Sequence, residues 1–122
     1  MNLQRILKDN NIPFKQLDKD EEYTVLKINN KIMLLCVEEK GNIFKLHRDY
    51  YDYIEGNSLP YMIVLCDIKN KKSYLLDLTK GVNWVKNSFE SCDKDELFLG
   101  KQILNYSINE SDLIKVLKRK IK

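Results

Sequence analysis

Two apolar runs dominate the hydropathy pattern: Lys31-Ile-Met-Leu-Leu-Cys-Val37, which ends on Glu38-Glu39-Lys40-Gly41, and Pro60-Tyr-Met-Ile-Val-Leu-Cys66. Runs that are apolar at nearly every position predict strands covered on both faces, at the centre of a sheet. Tyr23, Val25, Leu26 and Ile28 precede the first run and are separated from it by Asn29-Asn30. Asparagine tolerates positive φ, so this arrangement predicts a hairpin. The second run is followed by the polar turn Ile68-Lys-Asn-Lys-Lys72 and by Ser73 to Leu78 as its hairpin partner.

Elsewhere the period changes to that of a helix. Leu3, Ile6 and Leu7 share one side of residues 1–11, which Asn10-Asn11 caps and Pro13 stops. Tyr50, Tyr51 and Ile54 cluster within Arg48 to Glu55, and Gly56-Asn57 ends that helix. Leu113, Ile114, Leu117 and Ile121 form the stripe of a C-terminal helix capped by Asn109 or Ser111. Its acids, Glu110 and Asp112, lie at the positive end of the helix dipole, and Lys118, Arg119, Lys120 and Lys122 lie at the negative end. Ile43 to Leu46 reads as a brief extended piece. Residues 80–108 carry the weakest signal. Val82, Trp84, Val85 and Phe89 show no clean period, Asp93 and Glu96 resemble a capping box for one turn through Leu99, and Gln102 to Ile108 reads as a strand. The expected fold is a single α/β (α+β) domain over residues 1–122, with a mixed central sheet of four to six strands flanked by N-terminal, middle and C-terminal helices.

Composition supports one domain. At 122 residues and 43% apolar, the chain can bury a core without metal or disulfide staples. Cys36, Cys66 and Cys92 contain no C-x-x-C unit, and the first two sit inside the apolar runs, where free cysteine behaves as a small hydrophobe. No apolar run is long enough to span a bilayer and the N-terminus lacks the hydrophobic core of a signal peptide, so the expectation is no membrane partner and a cytoplasmic location. The net charge of +3 arises at the end of the chain: residues 101–122 carry 6 Lys/Arg against 2 Asp/Glu. Lys115, Lys118, Arg119 and Lys122 are therefore the candidate nucleic-acid contacts, although the helix dipole favours basic residues there in any case.

The candidate chemistry lies at the exit of the first run. Side chains alternate along a strand, so Glu38 and Lys40 fall on one face. An exposed pair of this kind is also what an ordinary solvated ion pair looks like. His47 is the one histidine, beside Arg48, and reads either as a phosphate contact and base or as a helix cap. Tyr50, Tyr51 and Tyr53 read either as a group that stacks on bases or forms a protein-binding patch, with Tyr50 and Tyr53 as the candidate interface residues, or, by helical spacing, as a set of which two belong to the core.

The order helix, hairpin ending in Glu38-x-Lys40, helix, hairpin resembles the core of the PD-(D/E)xK nuclease superfamily, the restriction-endonuclease-like fold. The resemblance covers roughly residues 1–78 and is closest between Lys31 and Leu78, through Val37-Glu38-Glu39-Lys40, the helix at 48–55, and Pro60 to Asp67 before a return strand bearing Tyr74. It implies metal-dependent phosphodiester hydrolysis on DNA, with Glu38 as a Mg²⁺ ligand and Lys40 as the cation that helps activate water. The family places a second acid at the start of the preceding strand. Here Tyr23 to Asn29 contains no Asp or Glu, which leaves Glu21 or Glu22 as the second metal ligand or makes the domain an inactive relative. The small size, the incomplete acid set and the tyrosines also fit a non-enzymatic interaction protein, such as a phage or mobile-element inhibitor or an immunity protein. A homodimer that builds one site across two chains is a third expectation.

Overall fold

The meander predicted around Asn29-Asn30 is one strand longer than the hydropathy pattern indicates. The structure, a computed structural model, describes residues 3–20, 22–39, 43–67, 69–78, 84–92 and 95–122. After helix α1 (Leu3–Asp9), Asn11 takes a left-handed turn at φ 56° and the chain enters β1 (Phe14–Lys19). This strand pairs antiparallel with β2 (Tyr23–Ile28), and β2 pairs antiparallel with β3 (Ile32–Glu38). Asn29 and Asn30 are left-handed, with φ of 49° and 55°, so the turn is closed by the residues whose side chains tolerate it. β1 gave no alternating signal because its pairing register slips between Gln16 and Asp18, which breaks the period of two. It is also a largely exposed edge strand, where polar side chains are favoured.

β3 then pairs in parallel with β5 (Tyr61–Asp67). Parallel neighbours need a crossover connection, and α2 (Arg48–Glu55) supplies it. β5 returns antiparallel as β6 (Lys72–Asp77), which carries the two-residue β8 (Ser107–Ile108) on its far edge. Among the described residues, the main sheet is therefore six strands in the order β1-β2-β3-β5-β6-β8, a mixed sheet as expected.

A second sheet differs from expectation. β4 (Phe44–His47) leaves the main sheet and pairs antiparallel with β7 (Glu96–Leu99), placing Phe44 opposite Leu99 and His47 opposite Glu96. Glu96 to Leu99 is thus a strand and not a capped helical turn, and Asp93 lies outside the described residues. The reason is tertiary: Leu97 and Leu99 alternate into the core, and β4 presents a free edge to pair with. α3 (Trp84–Cys92) carries Trp84, Val85 and Phe89 of the apolar residues that lacked a clean period, and Val82 lies outside the described residues. Residues Lys101–Tyr106 form a 3₁₀ turn, which shortens the strand expected over 102–108 to its last two residues.

The core has two layers divided by β3. Met33, Leu35 and Val37 face Tyr51 and Ile54 of α2, Phe89 of α3 and Leu46 of β4. Ile32, Leu34 and Cys36 face Leu3, Ile6 and Leu7 of α1 and Leu113, Ile114 and Leu117 of α4 (Glu110–Lys120). Both faces of the central strand are covered, as its continuous apolar sequence requires. In the first layer Tyr51 stacks on Phe89 at 4.7 Å between ring centroids. Trp84 is half-buried rather than fully enclosed, and its Nε1 donates to the Tyr106 hydroxyl at 2.9 Å.

Two polar devices fix the periphery. The Asn109 side chain accepts from the Asp112 backbone N–H at 2.7 Å and caps α4, while Lys120 Nζ lies 3.3 Å from Asp77 Oδ2 and ties the far end of that helix to β6. Asp67 closes the β5–β6 turn by accepting from both the backbone N–H and the side-chain amide of Asn70, which hold its carboxyl below the usual carboxylate range. Cys36 and Cys66 are free and buried, and burial pushes the Cys36 thiol far up and the Cys66 thiol to about 11, so both stay protonated and inert near neutral pH. No helix among the described residues is long and apolar enough to cross a membrane.

Leu34→Ala opens a cavity where β3 is covered by α1 and α4, and is expected to cost about 2–5 kcal/mol in urea unfolding. Lys15→Ala on exposed β1 is expected to change stability by no more than about 0.5 kcal/mol.

Candidate functional site

β2 begins beside the point where β3 ends. Tyr23 is paired with Val37, and one step further out the Glu38 backbone N–H donates to the Glu22 carbonyl at 3.0 Å. Glu22 and Glu38 are therefore cross-strand neighbours at the rim of the sheet, and such neighbours share a face. Both line a cavity of about 180 Å³ together with Ile43, Lys45 and Phe98. Like charges facing each other across a ladder destabilise it, so this rim favours a cation, and Lys45 brings one. Glu21 and Lys40 lie outside the described residues. Among the described residues, no three His, Cys, Asp or Glu side chains are grouped to hold a metal ion. Two carboxylates are nevertheless a donor set that suits Mg²⁺, which keeps several waters and is commonly bound through one or two carboxylates plus substrate phosphate.

A larger cavity of about 420 Å³ shares Glu22 and Lys45 with the first and is completed by Asp20, Tyr23, His47, Asp49 and Tyr50. Tyr23 organises it. Its side chain is only 2% exposed, its hydroxyl donates to the Lys45 carbonyl at 2.5 Å, and the same oxygen accepts from the His47 backbone N–H at 3.1 Å. One phenol thereby fixes the backbone on both sides of Leu46, and Lys45 and His47, two positions apart on β4, project to one side. Burial pushes the Tyr23 hydroxyl well above its ordinary range, so it remains a neutral donor and acceptor. The Tyr23 ring stacks on Tyr50 at 4.3 Å and 17°, and meets the His47 ring edge at 5.9 Å.

Two carboxylates set the polar groups of the cavity. Glu96, opposite His47 in the small sheet, has Oε1 3.5 Å from Lys45 Nζ and 3.4 Å from His47 Nε2, so one acid aligns both basic side chains. These pairs are about a third exposed and contribute orientation more than stability. Asp20 accepts from the backbone N–H groups of Glu22 at 2.9 Å and Tyr23 at 2.8 Å, and from the Tyr50 hydroxyl. Partial burial alone would raise its carboxyl, but the Tyr50 hydroxyl and the two backbone donors outweigh that and hold it below the ordinary 3.8. The bond to Asp20 and, after it, burial raise the Tyr50 hydroxyl.

Of the residues expected from the sequence, Glu22, Glu38, His47 and Tyr50 converge on these adjoining cavities. Tyr53 is 47% exposed and lines neither of them. Lys115, Lys118, Arg119 and Lys122 are exposed at the end of α4, on the opposite face of the sheet from Tyr23 and beside Asn29, whose side-chain amide donates to the Ile121 carbonyl at 3.5 Å. Asn29 and Glu22 flank the two ends of β2, roughly 20 Å apart at about 3.3 Å per residue, so the basic helix end is separate from the acidic rim. Sequence reading missed Lys45 and Glu96. The alternation Lys45-x-His47 carried a signal for the first, but only the pairing of β4 with β7 reveals the second. Compared with known proteins, no family model matches this chain and no curated protein matches its sequence.

Tyr23→Phe leaves the Lys45 carbonyl and the His47 N–H without their partner and is expected to cost about 1–3 kcal/mol in urea unfolding. Asp20 titrates lower in the folded chain than in the unfolded one, so its contribution to stability is present above pH 3.8 and is lost as pH falls through the folded value. Asp20→Asn is therefore expected to be less stable than the parent at neutral pH, with the gap closing below pH 3.8 in acid unfolding followed by circular dichroism.

Proposed function

We propose that this protein is a PD-(D/E)xK-like phosphodiesterase acting on DNA, dependent on a divalent cation held by Glu22 and Glu38. The observation that carries the proposal is the cross-strand placement of these two acids at the rim where β2 starts and β3 ends, with Lys45 lining the same cavity. The element order supports it: α1, the β2–β3 hairpin, α2 and the β5–β6 hairpin follow one another in the order on which the resemblance rests, with β1 and β4 added to it. Glu22 thus supplies the second acid just before the strand that lacks one.

Phosphodiester hydrolysis needs charge on the non-bridging oxygens neutralised and a water made nucleophilic. Mg²⁺ held by Glu22 and Glu38 would supply both as a Lewis acid. The chain's own part is to present Glu22 and Glu38 together and to hold the Lys45 ammonium beside them, restrained by Glu96 and by the Tyr23 clamp on its carbonyl. Lys40, two residues beyond Glu38, is the further cation that the resemblance implies. A reducing, cytoplasmic setting accords with the free thiols of Cys36 and Cys66.

A second reading draws on a different observation. Phe98 is 52% exposed and Ile43 36% exposed, and both border the acidic cavity. Exposed apolar side chains around a polar centre suit a macromolecular partner, and they favour an interaction protein that binds without chemistry.

The deciding experiment incubates the protein with supercoiled plasmid and single-stranded DNA in Mg²⁺ or Mn²⁺. Cleavage is expected, abolished by EDTA and reduced on the order of 10²-fold or more by Glu38→Gln or Glu22→Gln, the scale on which one electrostatic stabiliser acts. Absence of cleavage together with recovery of a stoichiometric protein partner whose binding Phe98→Ser weakens supports the interaction reading instead.

A further inference from the structure

We infer that the 420 Å³ cavity beside the acidic rim is a nucleobase subsite that stacks a base on Tyr50 and prefers guanine. The inference deepens the phosphodiesterase reading and rests on it for the identity of the polymer. Several observations converge. The volume lies in the range of small-ligand sites. Tyr50 is half-buried with Tyr23 stacked on one ring face at 4.3 Å, a rigid aromatic pair onto which a further planar group can be added. The hydroxyl of Tyr50 is tethered by Asp20, which fixes the ring plane.

Charge decides which part of a nucleotide enters. Asp20, Glu22 and Asp49 line the cavity against the single full cation Lys45, so a phosphate group is repelled while a ring bearing N–H donors is attracted. Asp20 already accepts three hydrogen bonds, so Asp49, exposed in the first turn of α2, is the acid placed to meet a ligand. Guanine places an N–H and an adjacent amino group on one edge, which a carboxylate accepts in parallel, and its O6 accepts from an ammonium such as Lys45. Uracil lacks that pair of adjacent donors. A guanidinium ligand would share the donors and the stacking, but it has no acceptor to meet the Lys45 ammonium, which guanine O6 provides. The base subsite and the acidic rim share Glu22, so a base seated on Tyr50 would carry its phosphate towards Glu38.

The test uses the whole protein in EDTA, so that no cleavage is required and its result is independent of the nuclease assay. GMP, AMP, CMP and UMP are titrated separately while backbone amide shifts are followed by NMR. GMP is expected to shift the amides of Tyr23, Lys45, His47 and Tyr50 and to bind about tenfold more tightly than UMP. Tyr50→Ala is expected to weaken all four nucleotides about tenfold or more, whereas Tyr50→Phe, which keeps the ring, retains binding. Asp49→Asn, at an exposed position that spares the core, is expected to weaken GMP about tenfold and leave AMP unchanged. Equal affinity for GMP and UMP, shifts confined to other residues, or tighter binding of arginine amide than of any nucleotide overturns the inference. DNA cleavage with no GMP preference would leave the phosphodiesterase reading standing and remove only the base subsite.

Discussion

The parallel pairing of β3 with β5 is the constraint on which the rest of the structure depends. A parallel neighbour cannot be reached by a tight turn, so the chain must leave the sheet and come back, and the detour delivers β4 and α2 to one face. The same pairing buries β3 from Ile32 to Val37, which obliges helices to cover the opposite face as well, and α1 and α4 do so. Every residue of the candidate site except Glu22, Glu38, Tyr23 and Asp20 belongs to the detour or to the strand that pairs with it. The site is thus a by-product of how a fully apolar strand finds its neighbours.

Tyr23 links the two parts. Its ring belongs to the apolar layer formed by Val25, Leu35 and Tyr51, while its hydroxyl satisfies a carbonyl and an amide of β4 that have no ladder partner on that side. Buried backbone groups are costly when left alone, so this single side chain holds the second sheet in register with the first. The polar groups around it are then assigned in turn: Glu96 to Lys45 and His47, Asp20 to Tyr50 and two backbone amides. Little freedom remains except at the cavity itself.

Much of the fold was legible from period and turn chemistry. The two continuous apolar runs became the two central strands, Asn29-Asn30 became the left-handed turn, and the helices over 48–55 and 110–120 were marked by stripe and cap. β1 was hidden because an irregular register and an exposed edge erase alternation. β7 was hidden because Asp-x-x-Glu chemistry reads locally as a helix start, whereas Leu97 and Leu99 are claimed by a distant strand. The site followed the same division. Glu38 and Glu22 are close to strand ends that the sequence marks, so both could be named; Lys45 and Glu96 come together only through a pairing of residues some fifty positions apart, which no local pattern encodes.

The division of charge between two sheets has a further meaning. The acids Glu22 and Glu38 ride on the main sheet, while Lys45, His47 and Glu96 ride on the small one, and the two are joined through apolar contacts of Phe44 and Leu46. The spacing between the opposite charges is therefore dictated by the volume of neutral side chains beneath them. Trimming or enlarging Phe44 or Leu46 would retune the electrostatics of the rim without altering a single ionisable group, a route by which evolution can adjust what the basin accepts while its polar residues stay the same.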